Sequence, residues 1–307
     1  MVFSGKKRRT GELLPRHTKH PTSFYVASVV LLAPAIISFA LFKYLPSVQA
    51  VIYSFFDYDF VAPPGSFVGL RNYVNTLSSP LFWKQMWNTL VLFFYSMVLG
   101  FMIPIFQALL LSQLKGKTKS VLKYLYILPS AIPGIASMTL WKYIWDPSYG
   151  LANAVTSALG LGEFGWLEDS SMVKITLRLN SLLGGGLGMI IYLVAIESIN
   201  DAIYEAAQLD GASRTRMMFS ITLPNMAGII GIQLLLSLSG CLLAFDDILV
   251  MTDGGPGDAS TTVVFGIYQK AFGDLNYGQA MATSVVLLIL TLSLVAVQLS
   301  VQRRMNE

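Results

Sequence analysis

The sequence predicts an all-α membrane protein with six transmembrane helices and both chain ends on the cytoplasmic side. Three observations predict it. Hydrophobic residues make up 54% of the chain and charged residues only 12%, where a soluble domain carries about 25% charged. Six apolar runs approach or exceed the roughly 20 helical residues that cross a bilayer. The basic residues are unevenly shared between the segments that separate those runs.

Residues 1–23 form a polar tail carrying Lys6, Lys7, Arg8, Arg9, Arg16 and Lys19, and both histidines, His17 and His20. The apolar run Phe24–Phe42 follows. A basic start before an apolar run also describes a signal peptide. This run is long and no clear small-x-small site follows it, so it reads as a retained anchor helix, the first span at 24–42. Tyr44–Met86 reads as a long loop, irregular at Pro63-Pro64-Gly65, with aromatics suited to a membrane interface. The second span, 87–114, contains Pro104, which neighbouring helices can accommodate in a membrane. The basic loop Gln113–Ser120 includes Gly116-Lys117-Thr118, similar to the end of a phosphate-binding loop. Leu111 stands where that motif needs a glycine and no strand precedes it, so no nucleotide site is expected in this chain.

The third span, 121–143, is interrupted by Pro129 and Pro133-Gly134, and Trp145–Met172 reads as an exposed loop with short helices. The fourth span, 173–196, holds Gly184, Gly185, Gly186 and Gly188, which predict tight packing or local irregularity. The fifth span is 226–251 and the sixth 278–301, so the membrane domain runs 24–301 and a short tail 302–307 ends the chain. The single cysteine, Cys241, lies inside the fifth run and reads as a small apolar side chain. No metal site is indicated.

With the N-terminus inside, the tail, the second loop (Lys115, Lys117, Lys119, Lys123), the fourth loop (Arg214, Arg216) and the end (Arg303, Arg304) hold fourteen of the 21 Lys and Arg. That two-to-one bias predicts N-in, C-in. It makes the basic tail a cytoplasmic flank rather than a nucleic-acid arm.

The polar island 197–225 lies between the fourth and fifth runs. It predicts two short helices. Asn200 or Asp201 caps the first, Asp210-Gly211 ends it, Ser213 caps a second running through Phe219, and Pro224-Asn225 stops that one. Small residues crowd the turn and would let another surface approach the backbone. Glu205-Ala206-Ala207, Asp210-Gly211-Ala212, Phe219, Ile221 and Leu223-Pro224 resemble the EAA loop of binding-protein-dependent ABC importer permeases. The resemblance implies that Glu205, Ala206, Ala207, Asp210, Gly211, Ala212 and Pro224 belong to a cytoplasmic coupling helix seated on an ATPase subunit.

A second signature supports it. Met251-Thr252, Gly254-Gly255-Pro256, Thr261-Thr262, Ile267-Tyr268 and Ala271-Phe272 resemble a segment of MalF-type and UgpA-type carbohydrate permeases, as do Gly69-Leu70-Arg71-Asn72-Tyr73 and Asn88-Thr89. The resemblance implies a type I ABC importer permease fold, covers about Phe24 to the C-terminus, and lacks the large inserted domain of the maltose permease. It implies a MalG-type second permease, a dimer of ABC ATPases that bind ATP and Mg, an extracytoplasmic solute-binding protein, a carbohydrate substrate, and the bacterial or archaeal cytoplasmic membrane as location. No cofactor on this chain and no nucleic-acid partner are implied.

Polar groups inside spans face the bundle interior because they are expensive in lipid. Asn180, Ser181, Gln107, Gln233, Ser237 and Ser239 are such groups, each either a helix–helix bond or a ligand contact. The resemblance implies that Asn180, Gly184 and Ser237 lie on the substrate path. Leu187, Gly240, Cys241 and Ala244 replace larger or more polar groups of maltose-type permeases, which argues against a maltose-like binding mode. Lys174 and Arg178 lie near Asp246 and Asp247 at the outer ends of spans four and five. They pair, they guide an anionic sugar, or they snorkel to the interface as long basic chains do. The competing class is an ATP-independent secondary transporter or channel, expected to show repeats or embedded charge clusters for ion coupling, and neither is evident. The chain is not expected to be an enzyme.

Overall fold

The computed structural model describes residues 22–58, 63–184 and 186–306. The basic tail and its histidines lie outside the described residues, as does Gly185. The chain divides into two units at Gln49/Ala50. The described residues of the first, from Thr22, are helical, and its large apolar side chains from Val29 to Val48 are exposed.

Among the described residues three helices are each long and apolar enough to cross a bilayer: Val29–Tyr53, Pro80–Ser112 and Tyr277–Gln302. Bent helix pairs raise the number to as many as six. The expected loop 44–86 is partly helical instead. Helix Leu45–Tyr53 continues the first run, a two-stranded antiparallel pair joins Phe56–Asp57 to Ser66–Phe67, helix Arg71–Ser78 follows, and the next long helix begins at Pro80.

Proline explains why the first helix could continue. Proline lacks an N–H and its ring collides with the carbonyl four residues back. A wide π-turn at Ala40–Tyr44 ends two residues before Pro46, another at Ser96–Met102 before Pro104, and a third at Met218–Thr222 before Pro224. Each wider turn makes room for the ring, so the helix carries on past the proline. In the third span two prolines stand close together and no π-turn intervenes. Gly116–Ala131 and Gly134–Ile144 meet at 102° across Ile132-Pro133.

The fourth span is a series of short helices, Val173–Leu179, Ser181–Gly184 and Gly186–Glu197. Of the two expectations for its glycines, tight packing is met at Gly186, and the break that the described residues show falls at Asn180. A Cβ on Gly186 would collide with the Tyr126 carbonyl, so only glycine permits this crossing with the third span. The fifth run divides into Ala227–Leu242 and Asp246–Met251, with the break at Leu243–Phe245. Helix Tyr277–Asn306 ends the described chain.

Two buried clusters organise the second unit. One gathers Ala108, Leu109, Met189, Tyr192, Leu193 and Met226, with Met218 and Leu223 packed against it. The other gathers Leu92, Val173, Leu177, Ile248, Met251 and Phe265. The first lies under the 197–225 island; the second holds the opposite ends of the same spans.

Candidate functional site

The island is built by local capping chemistry. Asn200 accepts the Ala202 N–H at 3.0 Å and starts helix Asp201–Leu209, with Asp201 in its first turn, where negative charge favours a helix N-terminus. The helix ends at Asp210-Gly211. Gly211 has φ +74°, a left-handed conformation that costs a residue with a Cβ. The Ala212 N–H then bonds back to the Ala207 carbonyl at 2.9 Å. Ser213 caps the next helix through the Arg216 N–H at 3.2 Å. That helix, Arg214–Met217, passes through the π-turn to Leu223–Asn225. Tyr204 and Thr222 hydroxyls meet at 2.9 Å and tie the two helices together.

The loop thus stands on the core through Met218 and Leu223 while helix Asp201–Leu209 buries none of its residues. Leu209 is 90% exposed. It stands beside the exposed acidic Glu205 and Asp210. The preceding helix, Gly186–Glu197, is tied to Gly116–Ile127 by a 2.8 Å ion pair between Glu197 and Lys119.

At the other end, two strings noticed separately in the sequence meet. Asn88 donates to the carbonyls of Asp258 and Thr261 at 2.9 and 3.0 Å. The Thr89 hydroxyl accepts the Val263 N–H at 3.2 Å. The loop itself is held by Thr252–Ser260 and Ser260–Gly255 bonds at 2.8 and 2.7 Å. Asn72 donates to the carbonyls of Ser54 and Phe56 at 2.9 and 2.8 Å, and Tyr73 meets Ser54 at 2.6 Å. The string around Asn72 and Tyr73 therefore clasps the chain between Tyr53 and Arg71.

The intramembrane candidates have specific neighbours. Asn180 accepts the Trp145 indole N–H at 2.8 Å, and its amide nitrogen lies 3.5 Å from the Met251 sulfur. Gly184 ends helix Ser181–Gly184. Ser237 is half-buried on Ala227–Leu242. Arg178 Nη1 donates to Asp247 Oδ2 at 2.7 Å, with the two side chains 15% and 13% exposed. Of the alternatives for Arg178, the structure has the pair. Its Nε and Nη2 are buried without a partner among the described residues. Lys174 donates to Asn88 Oδ1 at 2.9 Å. Sequence reasoning missed that bond, the Trp145–Asn180 bond and the Lys119–Glu197 pair, because each joins residues distant in the chain. Among the described residues no three His, Cys, Asp or Glu side chains gather to hold a metal.

Residues 26–307 match the family described as binding-protein-dependent transport system inner membrane component. The chain belongs to that family. It is 35% identical to the trehalose/maltose transport system permease protein MalF of Thermococcus litoralis, over 78% of this chain and 81% of the relative. It is 30% identical to the sulfoquinovosyl glycerol transport system permease protein SmoG of Agrobacterium fabrum, over 90% of each. Its fold is similar to a chain in the crystal structure of a bacterial alginate ABC transporter in complex with alginate pentasaccharide-bound periplasmic protein. The TM-score there is 0.83 at 27% identity, covering 93% of this chain and 96% of that one.

Proposed function

We propose that this permease imports a carbohydrate, of oligosaccharide size, as one of two unlike membrane subunits driven by a dimer of ABC ATPases. An extracytoplasmic binding protein delivers the sugar. The chain crosses the membrane six times with both ends in the cytoplasm. ATP and Mg bind on the ATPases, and helix Asp201–Leu209 is the lever that receives their motion. The single observation that carries the coupling reading is the geometry of that helix, which is capped at both ends, tied to the following helix by the Tyr204–Thr222 bond, and directs Leu209 outward. The sugar reading is supported by relatives named for trehalose/maltose, sulfoquinovosyl glycerol and arabinooligosaccharides, and by the alginate transporter.

Rigid coupling follows from the packing. A push on Asp201–Leu209 passes through the three-residue turn Ser198–Asn200 into Gly186–Glu197. The Lys119–Glu197 pair and the Gly186–Tyr126 crossing pass it to Gly116–Ile127. The spans then yield where they are already broken, at Ile132-Pro133 and around Asn180. Asn180, Gly184 and Ser237 would face the path that opens and closes there, with the Asn180 amide exchanging the Trp145 indole for a sugar hydroxyl. Lys174 and Arg178 act on an acidic sugar only if it competes with Asn88 and Asp247 for them, so charge steering is a minor part of this reading.

The test is co-purification with the ATPase and second permease of its transporter, wild type against Leu209→Glu. The charge should remove the ATPase from the complex while the second permease stays. Retention of the ATPase by Leu209→Glu at wild-type stoichiometry would overturn the assignment of this face.

A further inference from the structure

The loop after the third span contains a helix with an exposed apolar face. Helix Leu151–Ala158 follows helix Gly134–Ile144 through a compact turn. The Gly150 N–H bonds to the Asp146 carbonyl at 3.0 Å, and the Asp146 carboxylate accepts the Ser148 and Tyr149 N–H groups at 2.9 and 3.3 Å. The inner face is sealed by Asn153, only 5% exposed. Its amide nitrogen donates to the Pro147 and Phe164 carbonyls, each at 3.0 Å. Its oxygen accepts the Phe164 N–H at 3.0 Å and the Trp166 indole N–H at 2.8 Å. All four hydrogen-bonding positions of one side chain are used to fix the helix to the loop beneath it.

The outer face is a different surface. Leu151, Val155 and Leu159, spaced i, i+4, i+8, are 66%, 58% and 69% exposed, which places them on one side of a helix. Residues 147–162 carry no charged side chain, and Asp146 and Glu163 bound the stretch. This stripe is continuous with the end of the third span. Tyr143, on helix Gly134–Ile144, and Tyr149, two residues before Leu151, lie with ring centroids 6.3 Å apart, and both are exposed. Aromatic residues at the end of a span sit at the level of lipid headgroups.

We infer that Leu151–Ala158 is an interfacial helix that rests its Leu151–Val155–Leu159 face on the membrane surface. The occupant of the face is the boundary between headgroups and acyl chains. The tether to a membrane span brings the helix there, and the exposed Tyr143 and Tyr149 stand between the span and the helix. The uncharged stretch makes the contact apolar, so it takes the bilayer whatever the headgroup charge. The helix would hold the outer ends of the third and fourth spans at a fixed depth. The inference rests on the membrane placement of the spans given under the proposed function.

The experiment uses the assembled transporter in lipid nanodiscs, with Cys241→Ser as background and one new cysteine, Val155→Cys or Leu159→Cys, carrying an environment-sensitive fluorophore. Leu31→Cys and Leu292→Cys, inside the first and last spans, report on the span assignment. A label at residue 155 or 159 should be blue-shifted. It should be quenched at least twofold by lipids with a nitroxide near the headgroup, and less by lipids with the nitroxide at the acyl terminus. Added binding protein and added salt should leave it unchanged. A label that stays water-exposed and unquenched by lipid would overturn the inference, as would one shielded only when binding protein is added. If the labels at residues 31 and 292 also escape lipid quenching, the span assignment itself fails. If they are quenched and those at 155 and 159 are not, only the interfacial helix fails.

Discussion

Removing the carboxylate of Asp247 should destabilise the permease severely, and removing its partner at the same time should restore most of the loss. The Arg178–Asp247 pair is 2.7 Å long and about six-sevenths buried on each side. Asp247→Asn leaves the guanidinium in place with its charge unmatched, and its Nε and Nη2 already have no partner among the described residues. Breaking one side of a buried pair costs about 3–5 kcal/mol. The residual exposure of both groups argues for the lower end, about 3 kcal/mol. That corresponds to a fall on the order of 10 °C in the unfolding midpoint. Arg178→Met with Asp247→Leu exchanges the pair for apolar contact and should recover most of it, since such replacements are often neutral. The assay is thermal unfolding of the purified complex followed by Trp fluorescence, with uptake measured beside it. A midpoint for Asp247→Asn within a degree of wild type would refute the reasoning. So would faster uptake of an acidic sugar by that variant, which would mean that freeing Arg178 creates a useful anion site.

Other variants probe other joints of the same structure. Gly211→Val should weaken the island by about 1–2 kcal/mol, the cost of a left-handed conformation for a residue with a Cβ, and should at least halve ATPase stimulation by binding protein in reconstituted complex. Asn88→Leu strips two carbonyls and the Lys174 ammonium of their partner. Limited proteolysis should then cut between Thr252 and Thr262 at least tenfold faster than in wild type. Lys119→Cys with Glu197→Cys, joined by a short bis-thiol spanner in a Cys241→Ser background, should leave transport near wild type, because the two helices move together; loss of transport on joining them would show that they separate during turnover.

Local chemistry was legible where it is written in adjacent residues. Asn200, Gly211 and Ser213 each act within three residues of themselves, and each does in the structure what its type and position predict. Long-range pairing was legible only as strings. Asn88-Thr89 and Gly254-Gly255-Pro256 stand out in the sequence, yet nothing there says that Asn88 bonds to carbonyls 170 and 173 residues away. The loop expected from Tyr44 begins later because the helix carries on through Tyr53, past Pro46, by way of the π-turn at Ala40–Tyr44. Asn180 was legible as a polar group needing a partner, but only packing could supply Trp145 and Met251 as the partners. For Arg178 the residues allowed pairing, guidance or snorkelling to the interface. Burial decides between them, because an unpaired charge at that depth is expensive and Asp247 is within reach.

The most direct test of the central claim is ATP hydrolysis by the transporter reconstituted in liposomes, with and without its binding protein, for wild type and for Glu205→Lys combined with Gly211→Asp. The account predicts that binding protein stimulates hydrolysis in wild type and that the double variant loses this stimulation. Stimulation that survives in the double variant, or solute movement by the chain alone in the absence of ATP, would contradict it.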